Sequence, residues 1–367
     1  MWLNRRKAGF RKVAAIALAC ALAGTLAACG SRDDGGVPGE GQGEPVATYQ
    51  GKTVTDVEFN KYLSMLGLEM QQDVSFIKQI PAWMEEALGN YILYKEYASE
   101  ATADDLKQAK EQAAAYRKQL KQELKDESVK DKLKSILDQS GLTVREAEKF
   151  KKMLTSAQLV VERKYEELRE AVTEDDVREE FGKVQSDYNI VTVRHILVST
   201  FDPSTGEQIR PEEEALARAK EVRAKLIAGG SWDELAAEYS DDPGSNTNGG
   251  LYEDQRAGKY TEAFKQAVNT QPIGVIGDPV LTEYGYHVIL VEKREEMTYD
   301  KLEQDIKDAF RDYIANMKLS EQMQKEIEDL GIAFSLPQEE TQDDEGSRED
   351  GAGEEGGSGE SEGEAAE

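Results

Sequence analysis

Val193-Arg194-His195-Ile196-Leu197-Val198 and, further on, Tyr286-His287-Val288-Ile289-Leu290-Val291 decide how this chain of 367 residues folds. Both runs are short, apolar and β-branched, the pattern of buried strands. Side chains alternate along a strand, so His195 shares a face with Val193 and Leu197, and His287 shares one with Ile289 and Val291. These are the only two histidines in the sequence. One inward-facing histidine reads more readily as a hydrogen-bonded core residue than as a catalyst. Two of them on core strands of one stretch bring the readings level, and the segment between them has to decide.

That segment orders itself by local signals. After the turn Asp202-Pro203-Ser204-Thr205-Gly206 comes a helical pattern with Ala215, Ala219, Val222 and Leu226 on one face, ended by Gly229-Gly230. Ser231-Trp232-Asp233-Glu234 reads as a capping box opening a second helix through Leu235, Ala236 and Tyr239. Turn formers from Ser240 to Gly250 make a loop. Leu251-Tyr252, Gly258-Lys259-Tyr260, a brief helix with Phe264 and Val268, and Asp278 to Gly285 lead into the second histidine strand.

Arg194-His195-Ile196-Leu197, Tyr239-Ser240-Asp241-Asp242, Gly249-Gly250-Leu251, Phe264 and Thr282-Glu283-Tyr284-Gly285-Tyr286-His287-Val288-Ile289 occur in this order at compatible spacings. Together they resemble the parvulin family of peptidyl-prolyl cis/trans isomerases across residues 191–294. The resemblance implies a four-stranded antiparallel sheet with surrounding helices, both histidines lying beneath the active-site floor. It puts the paired catalytic histidines on His195 and His287, the cysteine-or-aspartate position on Asp242, and the nearby threonine on Thr282. It puts the proline pocket on Leu251, Tyr260 and Phe264. Two departures stand out: the family's Gly-Asp-Leu-Gly is here Gly249-Gly250-Leu251-Tyr252, and Tyr260 stands where many members carry methionine.

Rotation about a prolyl peptide bond needs no bond breaking, only preferential binding of the twisted amide, so no nucleophile and no cofactor are expected. Asp242 also has a local reading, an Asx turn ahead of Pro243. A metal site is disfavoured because no third ligand lies at zinc-site spacing from the histidines.

At the start, Arg5, Arg6, Lys7, Arg11 and Lys12 precede the apolar run Val13 to Leu22 and then Leu26-Ala27-Ala28-Cys29-Gly30. This resembles a bacterial lipoprotein signal: residues 1–28 are expected to be cleaved and Cys29 to be acylated, anchoring the chain to the outer face of the cell membrane. The apolar run is short for a spanning helix, which needs about 20 residues. Cys20 would leave with the signal, so the mature chain would hold no disulfide. A net charge of -28 argues against nucleic acid as a partner. Residues 337–367 are acidic and nearly free of apolar side chains, the composition of a disordered tail. Residues 29–45 read as a flexible tether.

Between tether and isomerase region, residues 46–190 open with a hairpin about Gln50-Gly51. Helical patterns follow, with Thr-x-x-Glu boxes at Thr55 and Thr143. Residues 103–126 are so charged that a projecting arm is expected. After residue 294, Leu302, Ile306, Ala309, Tyr313 and Met317 recur at helical spacing and are expected to pack on the N-terminal helices. The fold class is therefore α+β: a parvulin domain, 191–294, inserted between 46–190 and 295–336 of a mostly α-helical, chaperone-like domain. That layout resembles the PrsA-type extracytoplasmic foldases and their SurA-like relatives. It implies an isomerase and foldase acting on Xaa-Pro segments of unfolded or partly folded secreted proteins. The alternative is a chaperone lipoprotein that binds unfolded clients with an inactive parvulin-like module.

Overall fold

The computed structural model of the protein describes residues 36–202 and 205–335. The expected leader 1–28, the lipid site Cys29 and the acidic stretch 337–367 lie outside the described residues. Among the described residues no helix is long and apolar enough to cross a membrane.

Gln50 and Gly51 have φ of +46° and +78°, the left-handed pair that a tight two-residue hairpin demands. They join β1 (Pro45–Tyr49) to β2 (Lys52–Thr55). The Thr55 hydroxyl accepts the Glu58 amide and opens α1 (Asp56–Met70). The second half of the expected box is absent. Glu58 is 0% exposed and accepts from the Tyr91 hydroxyl at 2.6 Å and Lys95 Nζ at 2.7 Å instead. The end of the expected tether is also engaged. Pro38 and Gly39 are buried, the Thr55 hydroxyl donates to Gly39 O at 3.3 Å, and the Glu44 amide donates to Asp56 at 2.9 Å.

Five helices follow: α2 (Pro81–Ser99), α3 (Ala103–Glu123), α4 (Lys130–Ser140), α5 (Val144–Ala171) and α6 (Glu174–Val184). Full capping boxes at Thr102, Thr143 and Thr173 start α3, α5 and α6. The charged α3 is not a free arm. Ala109, Ala113 and Leu120 form a narrow buried stripe against α5, and small alanines let the backbones approach while the charges stay in water.

The strand β3 (Ile190–Ser199) leads to α7 (Glu212–Ile227), α8 (Trp232–Tyr239), β4 (Leu251–Arg256), α9 (Glu262–Thr270), β5 (Val280–Thr282) and β6 (Gly285–Glu295). The sheet is four-stranded, antiparallel throughout and ordered β4-β3-β6-β5. Both of its faces are covered. Ile196, Val198, Tyr286 and Val288 pack under α7 and α8. Val191, Val193, Ile289 and Val291 pack under α9 with Phe264 and Val268. The histidines fall on this second face, as alternation requires.

The last helix, α10 (Gln304–Asp329), begins later than the repeat starting at Leu302 suggests, because 299–301 form a separate short turn. Leu302 and Ile306 pack in the core as expected, but the buried face of the helix beyond them is displaced by one position. Phe310, Ile314, Ala315 and Leu319 are inside, whereas Tyr313 and Met317 are 51% and 55% exposed. α10 packs on α5, α6 and α2, so the helical body is assembled from both sides of the insertion. A short β7 (Ala333–Phe334) then pairs with β1.

Candidate active site

The two central strands are in register so that His195 opposes Ile289 and His287 opposes Leu197. The imidazoles are thus diagonal neighbours on one face, each only 5% exposed. Their Nδ1 atoms are 3.1 Å apart and the rings stack with centroids 5.3 Å apart. Phe264 from α9 sets its ring edge-on to both, at 5.4 and 5.1 Å.

Asp242 arrives from the loop after α8, and the loop is tied to β3. The Asp241 amide donates to Leu197 O at 2.8 Å, the Ser240 hydroxyl accepts the Leu197 amide at 3.2 Å, and the Asp241 carboxylate accepts the Ser199 amide and an Arg210 guanidinium N–H. Asp242 Oδ2 then lies 2.8 Å from His195 Nε2. It also accepts from Ser245 Oγ at 2.5 Å and from the Tyr252 hydroxyl at 3.0 Å, while Oδ1 takes the Gly244 amide at 3.0 Å. On the far side, Thr282 Oγ1 is 2.8 Å from His287 Nε2 and accepts the Tyr284 amide at 3.1 Å.

With both rings neutral, each has one donor and one acceptor, and a single proton order satisfies every link. Thr282 donates to His287 Nε2, His287 Nδ1 donates to His195 Nδ1, and His195 Nε2 donates to Asp242. Burial and the neighbouring His195 push His287 down to about 3, against the opposing pull of Asp242. Burial opposes ionisation of Asp242. The bonds from His195, Ser245 and the Gly244 amide outweigh that and hold its carboxyl well below the usual range. The row therefore ends in a fixed negative charge.

This row floors a cavity of about 670 Å³ lined by Leu197, Asp242, Tyr252, Tyr260 and Phe264 among others. Tyr260 stacks on Phe264 with centroids 4.5 Å apart, forming an aromatic cup beside the floor. Of the residues singled out in the sequence, His195, Asp242, Tyr260, Phe264 and His287 line the cavity, and Thr282 bonds to its floor. Leu251 is not in the lining. It opposes Arg194, and alternation turns it away from the face that Val193, Tyr252 and His195 share. Tyr252 occupies the place instead, and the same alternation, applied to β4, would have found it. Ser245, fully buried beside Asp242, comes from a loop with no periodicity to reveal it.

Only glycine suits the loop's last step. Gly250 has φ of +73°, and a Cβ there would lie 2.0 Å from His195 O. The Gly250 carbonyl accepts the His195 amide at 2.9 Å, so the glycine loop and the catalytic-looking strand are clamped together. The described residues contain no group of His, Cys, Asp and Glu suited to a metal ion.

Comparison with known proteins agrees with this geometry: the family described as PPIC-type PPIASE domain matches residues 179–295. A four-stranded antiparallel sheet carrying a His-His-Asp row under an aromatic cup makes the chain a peptidyl-prolyl cis/trans isomerase of the parvulin class. Foldase protein PrsA 2 of Listeria innocua is 31% identical over 306 residues, covering 83% of this chain and 83% of that one. The chain belongs to the PrsA foldase family, and with that membership goes a foldase role. Chaperone SurA of Chromohalobacter salexigens is 37% identical over 134 residues, 36% of this chain and 28% of that protein. The crystal structure of PrsA from Bacillus cereus aligns with 78% of this chain and 90% of its own at 20% identity and a TM-score of 0.37.

Proposed function

We propose that the protein is a lipid-anchored, extracytoplasmic isomerase and foldase that accelerates proline-limited folding of secreted proteins. In this reading Cys29 carries the anchor, residues 191–294 carry catalysis, and residues 46–190 with 295–336 hold the client. The observation that carries the catalytic part is the unbroken hydrogen-bonded row from Thr282 to Asp242 opening on an aromatic cup.

The chemistry follows from what rotation does to an amide. The planar prolyl bond keeps C–N double-bond character and negative charge on its carbonyl oxygen, and the barrier to rotation is about 18–20 kcal/mol. Twisting removes that conjugation, returns the lone pair to nitrogen and withdraws charge from oxygen. A proline ring seated on Phe264 and Tyr260 would hold the nitrogen side still. The fixed charge of Asp242 under the carbonyl would disfavour the polarised planar forms more than the twisted one. That difference is what lowers a barrier. His195, His287 and Thr282 orient the carboxylate and keep it ionised; none attacks the substrate. The helical body offers clients exposed apolar side chains at Met70, Phe76, Ile80 and Trp83, with the Phe76 and Trp83 rings 5.8 Å apart.

The test is NMR exchange spectroscopy on Xaa-Pro peptides with the full chain and with a His195→Ala/His287→Ala variant whose folding is checked by circular dichroism. Exchange well above the uncatalysed rate, returning to background in the variant, is expected. A folded wild-type protein that leaves exchange unchanged would reject the catalytic reading and leave a client-binding chaperone with an inert parvulin module.

A further inference from the structure

Asp242 carries its charge without a lysine or arginine to balance it among the described residues. The nearby Arg210 is spent on Asp241. The Asp242 side chain is 17% exposed, and burial opposes its ionisation. With His195 neutral, uncharged donors alone must hold the carboxylate. Three of them converge on Oδ2: His195 Nε2 at 2.8 Å, Ser245 Oγ at 2.5 Å and the Tyr252 hydroxyl at 3.0 Å. Ser245 is fully buried and His195 nearly so, whereas Tyr252 is half-buried with its ring in the cavity wall.

Two backbone features bring that phenol to the carboxylate. The first is a bulge in β4. Val191 opposes Gln255 and Val193 opposes Tyr252, so Glu253 and Asp254 together face Thr192. Asp254 takes up the extra residue at φ +46°, its amide donating to the Thr192 hydroxyl at 3.2 Å and its carboxylate accepting from that hydroxyl at 3.3 Å. The extra residue inverts the alternation of the strand, and Tyr252 lands on the histidine face with its ring centroid 5.5 Å from that of His195. The second feature is Gly244. A Cβ there would lie 2.6 Å from the Tyr252 hydroxyl oxygen, so the glycine makes the space into which the hydroxyl reaches. Burial and the bond to Asp242 push the Tyr252 phenol up, which keeps its proton available to donate.

We infer that Tyr252 is a positioning residue for the isomerisation: its hydroxyl, admitted by Gly244, fixes the Asp242 carboxylate beneath the cavity, while its ring forms part of the wall. The role rests on the catalytic reading of Asp242. Ring and hydroxyl do separable work, because the ring meets whatever fills the cavity and the hydroxyl meets Asp242. Without the hydroxyl, Oδ2 keeps two of its three donors and the carboxylate is less firmly oriented. A hydrogen bond to a charged group is strong enough that losing it from the ground-state scaffold should lower kcat about three- to tenfold.

The experiment measures kcat and KM separately, by NMR exchange spectroscopy on an Ala-Pro peptide over a range of concentrations. It uses the full chain and its Tyr252→Phe, Tyr252→Leu, Gly244→Ala and Gly244→Ala/Tyr252→Phe variants, each checked for folding by urea unfolding. Tyr252→Phe keeps the ring, so kcat should fall about three- to tenfold while KM stays within about twofold of wild type. Tyr252→Leu removes ring and hydroxyl and should raise KM as well. Gly244→Ala should lower kcat when Tyr252 is present and add little in the Tyr252→Phe background, because both changes act on one contact. A wild-type kcat in Tyr252→Phe, with or without a raised KM, would overturn the positioning role and leave Tyr252 as wall alone. Equal losses from Gly244→Ala in both backgrounds would overturn it too; should Gly244→Ala not fold, Tyr252→Phe decides by itself. No catalysed exchange by the folded wild type would remove the catalytic reading and the role of Tyr252 with it.

Discussion

Burial and a neighbouring imidazole set the protonation of His287. His287 is enclosed by the sheet, Phe264 and Thr282, and its protonation is pushed down to about 3 by burial and by His195. An unfolded histidine takes up a proton near 6.5, so between those values the unfolded chain binds a proton the folded chain refuses. Stability from this group is complete above about pH 6.5 and is lost as pH falls toward 3, at up to about 1.4 kcal/mol per pH unit. Asp242 adds in the same direction only below the ordinary carboxylate range, since its folded form is the one that stays ionised. Urea midpoints at pH 7, 5.5 and 4.5 should fall more steeply for wild type than for His287→Gln. Parallel slopes would mean that His287 is free to take a proton in the folded state. The identity of both histidines was plain from their strands, but their separation by 3.1 Å was not. It depends on a cross-strand register that sets residues 92 positions apart on diagonal sites of one face.

Elements explain why the insertion can be treated as a unit. β3 starts at Ile190 and β6 ends at Glu295, and those two residues are paired across the sheet. The chain therefore leaves the helical body and returns to it at nearly one point. Meanwhile α10 rests on α5, α6 and α2, with Phe310, Ile314 and Ala315 meeting Val172, Val177 and Phe181. Replacing residues 191–294 by a short glycine-serine linker should leave a cooperatively unfolding helical protein that still slows aggregation of an unfolded test protein. Non-cooperative melting, or no protection from a folded product, would count against a self-sufficient client-holding body. At this scale the caps at Thr55, Thr143 and Ser231 were readable because a cap is a local hydrogen bond. The face of α10 was misread by one position. Leu302 belongs to the connection before the helix, and only the partner helices reveal that Tyr313 and Met317 look outward.

The whole molecule joins a charged helical body to an isomerase, with an N-terminal segment that resembles a lipoprotein leader. Acylation at Cys29 would hold an acidic protein at a membrane surface that its charge alone would not seek. Cys29→Ser should move the protein from the membrane fraction to the soluble fraction, with peptide isomerisation unchanged. Persistence in the membrane fraction after high-salt washing would reject the lipid anchor.

The sequence by itself determined the α+β class and the order of the elements, and it singled out His195, Asp242, Thr282 and His287 as candidates. Strand alternation, helix caps and ordered motifs are all written in near neighbours. Tertiary structure decided what near neighbours cannot encode. It turned Glu58 inward to Tyr91 and Lys95, laid the charged α3 on α5, and brought Ser245 and Tyr252 to Asp242 in place of Leu251. Each of these is a contact between segments distant in the chain. Its free energy comes from desolvation and pairing at the moment of packing, so no local pattern could announce it.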